Sequence, residues 1–481
     1  MAMEESVVVV DLGAAFVRAG VVHGRGKGSG GATVGGIGGG AKSEESMSGI
    51  DVPQPHVEPN LSAKAKGTKG VALGDEVLRI ADVLSLVVRR PMDRGYLVNA
   101  DLEAQILDRV FYRKDALALK ETQGASLLCT EPLFALPAVQ RTLDELVFER
   151  YSFGRMLAAP APHLTAYADA CGLLGGETFT LPGVSGTLQG DAQASVAVAR
   201  AARCGVVLDA GFSFTHAVPF SSSRVLLPGV RRLNFGGKAM TNLLKELVSY
   251  RSVNMMDETY IMDDVKEKMC FVAQDLGREA AEAKKAARSE HYGEYVLPDG
   301  VQCARGYVRE KRDVRAGKKG GESDDDDDDD VGPALDEQCL PLCNERFMTP
   351  EVLFNPSDIG IAQAGVHELV TQAVEAVTKG RKDTTDSYRG LLYSNVILSG
   401  GCVTIPGFAE RFNRELRALV PNDTTLHVRL PGQPQCCAYI GGVALAASHE
   451  YNTLACTREE YFEHGSDRLR RPLLPLISES L

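Results

Sequence analysis

SVVVVDLGAAFVRAGVV, residues 6–22, reads as two strands and the reversal between them. Val7, Val8, Val9 and Val10 are β-branched and make a short buried strand; Asp11 closes it, Gly13 permits a tight reversal, and residues 16–22 return. The product is a hairpin with a carboxylate at its mouth. Such a hairpin suits a phosphate, because turn N–H groups point outward and an Asp at the strand end holds the water shell of a metal ion. The pattern returns at VVLDAGFSFTHAV, residues 206–218, where Asp209 and Gly211 repeat the spacing of Asp11 and Gly13. Two such hairpins face to face would clamp one polyphosphate from both sides.

Length and composition bound what surrounds them. At 481 residues the chain exceeds one ordinary core, and two lobes are the simplest division. A hydrophobic content of 44% is globular, while 49 glycines and no tryptophan point to turns and flexible insertions. A net charge of −12 disfavours general adhesion to nucleic acid and leaves a local basic patch open. Neither Cys339 with Cys343 nor the vicinal Cys436 and Cys437 has a neighbouring His or second Cys pair. Free thiols in a reducing compartment are therefore expected in preference to a metal site. The opening MAMEES lacks a basic region leading an apolar one, and nowhere do 18 apolar residues run together, so an intracellular soluble protein with no membrane partner is expected.

Along the chain, periodicity is lost over residues 24–70, where disorder is the default. Residues 101–111 have helical spacing with an acidic first turn, 126–129 read as a strand, and 137–151 as an amphipathic helix opened by Pro137. Residues 172–193 read as a Gly-rich exposed loop. NFGGKAMTNLLKELVSY, residues 234–250, sets a Gly pair before a helix, and DDVKEKMCFVAQDL, residues 263–276, reads as a second helix with Lys266 and Glu267 among its early polar residues. Regularity fails again over 277–338 except at 295–299. That region holds a basic tract, 305–319, and an unbroken aspartate run, 324–330. A solvated insertion is the plain reading of both; a nuclear-import signal and a contact for basic histone-like partners are the alternatives. Residues 395–399 form a buried strand ending in Gly400 and Gly401, whose bareness allows a ligand or another backbone to approach, and 406–416 the following helix. The Gly pair in AYIGGVALAA, residues 438–447, reads as a tight helix crossing.

These motifs, in this order, resemble the actin superfamily. The resemblance rests on DLGAAFVRAG (11–20), DAGFSFTH (209–216), VKEKMCFVAQD (265–275), ERFMTPEVLFNPSDIG (345–360), VILSGGCVTIPGF (396–408) and YIGG (439–442). It implies a two-lobed α/β fold, a duplicated ribonuclease H-like core with disordered insertions, closing on a nucleotide. The expected division is a first lobe over 1–168 with a low-complexity insertion at 24–70, and a second over 169–437 with insertions at 172–193 and 277–344. Residues 438–481 then return to the first lobe and end in a tail. GFSFTHAVP (211–219), LNFGGKAMTNLLKELVSYR (233–251) and MMDET (255–259) look less like actin than like the sixth class of actin-related proteins. That class implies a nucleus, with a cytoplasmic pool allowed, and a subunit of remodelling complexes that exchange a histone H2A variant.

The resemblance also sets expectations for chemistry. Asp11 and Asp209 would hold Mg²⁺ through water, and Gly13 and Gly211 would bring N–H groups to the phosphates of ATP or ADP. Arg18 would reach phosphate through its planar fork, Lys266 and Glu267 would meet ribose and base, and Gly400 and Gly401 would face adenine. The alternative is that these residues preserve hairpin geometry around an empty cleft. Turnover needs a positioned water and charge neutralisation. Ala14 stands where actins place a hydroxyl, Phe212 where they place a second Asp, and the water-orienting Gln falls at or near Ala161. His216 remains without that partner. Negligible ATP hydrolysis is expected, hence no enzyme, and a nucleotide-stabilised scaffold contacting sister subunits and nucleosomal DNA or histones. A filament-forming ATPase and a sugar-kinase-like phosphotransferase are the competing readings; the missing groups argue against the first, and the lack of an evident substrate-base Asp against the second.

Overall fold

The computed structural model describes residues 6–23, 50–80, 82–84, 86–179, 203–222, 224–285, 289–300, 303–309, 337–379, 385–469 and 477–478. The valine run forms the strand Ser6–Leu12 at the heart of a six-stranded sheet. It pairs antiparallel with Phe16–His23 and parallel with Ser126–Glu131 in the register Val10↔Cys129. Both faces are covered: Val8 and Val10 point into one cluster with Ile106 and Phe111, Val7 and Val9 into another with Leu164 and Tyr439. Alternation within an unbroken apolar run is what a strand buried on both sides requires.

A second sheet repeats the plan. The first runs Cys456–Thr457, Arg155–Pro160, Ser126–Glu131, Ser6–Leu12, Phe16–His23, His56–Pro59; the second runs Gly176–Phe179, Val428–Pro431, Val396–Ser399, Gly205–Ala210, Thr215–Ser221. Each has an antiparallel edge strand, two parallel strands and then a hairpin, with a further strand on the hairpin's outer side, His56–Pro59 in one and Arg231–Leu233 in the other. This is the two-lobed, duplicated actin-like fold.

Two helices lie between the sheets. Ala161–Ala170 turns Leu164 and Tyr167 to the first sheet, and Ala166 and Ala168 to Val207 and Ile397 of the second. Cys437–Ala446 crosses it closely, and the crossing is at the Gly pair: a Cβ on Gly441 would fall inside the Leu164 carbonyl, and one on Gly442 would come within 2.8 Å of Val9. A buried ion pair between Arg429 and Asp169, with Asn395 beside them, stitches the same level. On the other flank, Leu61, Ala63, Val77 and Leu86 share one core with Leu244, Val248, Ile261, Met262 and Val265 from the helices Gly237–Arg251 and Thr259–Met269. The halves of the chain are thus joined on both sides of the space between the hairpins.

Several expectations need correction. Residues 50–70 are not shapeless: they carry the strands His56–Pro59 and Ser62–Lys64, the latter in a small sheet with Ala72–Leu73 and Val87–Arg89. Leu61 and Ala63 are buried while Val57 is exposed, and strands this short show no readable period. Within 172–193, Gly176–Phe179 is an edge strand. Within 277–344, Leu276–Ala283 is helical, Gly293–Val296 pairs with Cys339–Leu342, and Tyr307–Val308 adds a third strand. The segment 263–276 is not one helix. Thr259–Met269 ends there, Phe271 and Val272 donate to the carbonyls of Arg346 and Pro406, and Asp275 caps the next helix by accepting from the Arg278 N–H at 3.1 Å. Lys266 and Glu267 therefore sit in a last turn. The aspartate run and residues 24–49 lie outside the described residues.

Candidate functional site

Between the hairpins lies a cleft of about 620 Å³. Asp11, Gly13, Arg18, Asp209, Gly211, Lys266, Glu267, Gly400 and Gly401 all line it. In both hairpins the Asp is cross-strand from the residue seven further on, Asp11 from Arg18 and Asp209 from His216. The repeated spacing thus becomes a repeated geometry.

The turns are held from behind. In the first, the carbonyl of Gly13 accepts from the Asn60 side-chain amide at 3.0 Å, and that of Ala15 from the Asn60 N–H at 2.8 Å. Asn60 is anchored on the buried Glu103, 3.1 Å away, whose carboxyl burial pushes up to about 7. In the second, the Gly211 carbonyl accepts from the Gly237 N–H at 3.1 Å and the Cys402 thiol at 3.1 Å, and the Phe212 carbonyl from the Lys238 N–H at 2.8 Å. With those carbonyls held from behind, the turn residues Ala14, Ala15, Phe212 and Ser213 line the cleft. The Gly13 N–H bonds to the Asp11 carbonyl and the Gly211 N–H to the Phe214 carbonyl, so both N–H groups are engaged within the reversals themselves.

Asp11 is fixed by Thr130, whose hydroxyl donates to the carboxylate at 3.0 Å while accepting from the Leu12 N–H at 2.7 Å. Arg18 lies 3.5 Å from the same carboxylate. Burial nevertheless raises Asp11 above the usual carboxylate range, with Arg18 and Thr130 opposing. Asp209 is pushed up to about 6, by burial first and by the charge of Asp11 second. His216 is driven down to about 4 by burial and by Arg232, and its Nε2 is buried with no hydrogen-bond partner among the described residues. Glu267 is raised, chiefly by burial.

Other walls are less open than the sequence implies. The Lys266 ammonium is engaged by Asp263 and Thr241 at 2.8 Å each and by the Gly237 carbonyl at 3.3 Å, which makes it an internal tie. Gly400 has φ +94, and a Cβ there would strike the Ala210 carbonyl, so its bareness serves backbone approach; Gly401 meets open space. Ala14, Phe212 and Ala161 also border the cleft, Ala161 as the first residue of its helix. Sequence reasoning missed Thr130 and Arg90. Thr130 lies 119 positions from Asp11, and only the parallel register brings them together. Arg90 bonds the carbonyls of Ala14 and Ala15 at 3.4 and 3.3 Å and stacks 4.5 Å over the Phe212 ring.

Twin acid-bearing hairpins from duplicated sheets, closed by two crossing helices, define a two-lobed actin-fold protein. The family model described as Actin matches residues 2–473, and the chain belongs to the actin family. Within it, the chain is similar to proteins called actin-related protein 6. It is 35% identical over 437 residues to that of rice (Oryza sativa subsp. japonica), covering 88% of this chain and 94% of the relative. Against Arabidopsis thaliana the identity is 37% over 412 residues, with 83% and 87% covered; against Drosophila melanogaster it is 33% over 425, with 86% and 92% covered.

Proposed function

We propose that this chain is a non-catalytic scaffold subunit of a nuclear chromatin-remodelling complex that exchanges a histone H2A variant, and that it binds ATP or ADP with Mg²⁺ without turning it over. The assignment to such a complex is supported by the near full-length similarity to actin-related protein 6 and by the stretches 211–219, 233–251 and 255–259. Other subunits of the complex are its partners, with histones or the nucleosome as further contacts.

The nucleotide part rests on one observation. The cleft keeps what holds a polyanion and its cation, while Ala14, Phe212 and Ala161 stand where groups that orient and activate water are expected and leave His216 without a partner. Two raised carboxylates from opposite hairpins are an unfavourable pair until a cation joins them, which fits Mg²⁺ held through its water by Asp11 and Asp209. The N–H groups of the two turns suit phosphates, and Glu267 and Gly401 border the nucleoside side. When bound, Mg²⁺–nucleotide supplies the counter-charge the acid pair needs. Ala14 and Ala161 offer no group to orient water, and Phe212 presents a ring where a second acid would act. Ground-state binding needs only the pocket.

Purification from cells with mass spectrometry of the associated chains, and of nucleotide released on denaturation, tests both parts. Remodelling subunits and stoichiometric nucleotide are expected. Recovery without them rejects the assignment, and ready pelleting as polymer in Mg·ATP favours an actin-like filament former.

A further inference from the structure

One guanidinium reaches both phosphate turns. Arg90 belongs to the first half of the chain and contacts the Ala14, Ala15 and Asn60 carbonyls at 3.3 to 3.4 Å. It also faces two groups of the second half: the Phe212 ring at 4.5 Å and the Asp263 carboxylate at 3.6 Å. Its side chain is only 15% exposed. A planar, permanently charged fork can satisfy carbonyl, ring and carboxylate at once. The flank it belongs to is also welded, since residues 61–86 share a core with the helices Gly237–Arg251 and Thr259–Met269. Arg305 adds to the seam by donating to the Val77 carbonyl at 3.2 Å. Opening the cleft as a hinge would break apolar packing as well as polar links.

We propose that Arg90 is a positioning residue that fastens the two turns to each other and, with the shared core, keeps the cleft shut in the absence of ligand. A bound nucleoside polyphosphate is then a slowly exchanging structural ligand. The closure itself is independent of the nucleotide reading; the slow exchange rests on it. Phe212 thereby has a role of its own, as the surface on which the strut rests.

Amide hydrogen exchange of the full-length, EDTA-stripped protein tests the strut. Arg90→Ala is expected to speed exchange across residues 12–16 and 210–214 at least tenfold while the helix Gly237–Arg251 keeps its protection, with Arg90→Lys between. Should Arg90→Ala lose that helix's protection, Phe212→Leu removes the stacked ring alone and is expected to speed the turns several-fold. Unchanged turns in a variant whose core is intact overturn the proposal. Release of preloaded N-methylanthraniloyl-ATP into excess ATP is expected to be at least tenfold faster from Arg90→Ala than from wild type; release within seconds by wild type overturns the slow exchange. Absence of nucleotide binding together with Arg90-dependent turn protection upholds the strut and rejects the nucleotide reading.

Discussion

Asp209 is pushed up to about 6 by burial, and after it by the charge of Asp11 reaching it from the other half of the chain. Each Asp is the penultimate residue of its strand, and each strand is the first of its hairpin. Their meeting is a product of fold duplication: equivalent positions in equivalent sheets are brought mouth to mouth.

A pH dependence, and on the proposed function a Mg²⁺ response, is predicted for the pair. The folded value of Asp209 lies above its ordinary 3.8, so the ligand-free protein holds this proton longer than the unfolded chain does. That contribution is present below pH 4 and is lost as pH rises through about 6. Thermal melts in EDTA are expected to show it, and Mg²⁺ to restore stability at pH 7. Asp209→Asn should abolish the Mg²⁺ response; an undiminished response would move the cation elsewhere.

His216 contributes with the opposite sign. Its folded value, about 4, lies below the ordinary 6.5, so stability is lost as pH falls through that interval because a buried neutral ring must take a charge. His216→Gln should gain stability relative to wild type between pH 6.5 and 4.5. The difference between the two melting curves isolates this effect from that of Asp209.

Phosphate release by the pure protein with Mg·ATP should not exceed the buffer rate. Losing a positioned catalytic group commonly costs about 10²–10⁴-fold. Returning a hydroxyl and an amide with Ala14→Ser and Ala161→Gln is expected to raise single-turnover release about tenfold or more. Brisk turnover by wild type would refute the scaffold reading of the cleft.

Gly441→Ala is expected to cost about 3 kcal/mol, because backbone of the crossing helix occupies the space its methyl needs. The midpoint of urea denaturation reads this directly. A near-neutral outcome would mean that the helices Ala161–Ala170 and Cys437–Ala446 can part without disturbing the sheets.

Arg429→Met should destabilise by about 3 kcal/mol, since it takes away the guanidinium bonded to the buried Asp169 carboxylate and leaves Asn395 to share that charge. The double change with Asp169→Asn should recover part of that loss, and a double-mutant cycle gives the coupling.

Legibility followed the range of the determining interaction. The helix Ala100–Tyr112 and the strand Ser126–Glu131 lie where the local pattern placed them, and the helix Cys437–Ala446 lies where its Gly pair pointed to a helix crossing. The strands His56–Pro59 and Gly176–Phe179 escaped notice because four residues carry no period and their neighbours Phe16–His23 and Val428–Pro431 are distant in sequence. The break after Met269 was hidden for a similar reason: the Phe271 and Val272 N–H groups find carbonyls at Arg346 and Pro406.

The sequence by itself determined the two hairpins, their acids and glycines, and the family. Each of those depends on β-branched strands and reversals within about a dozen residues, and the second copy confirms the first. Only the tertiary structure decided that Thr130 braces Asp11 and that Arg90 joins both turns. Those partners are chosen by sheet register and by how the halves close, and local spacing carries no record of either.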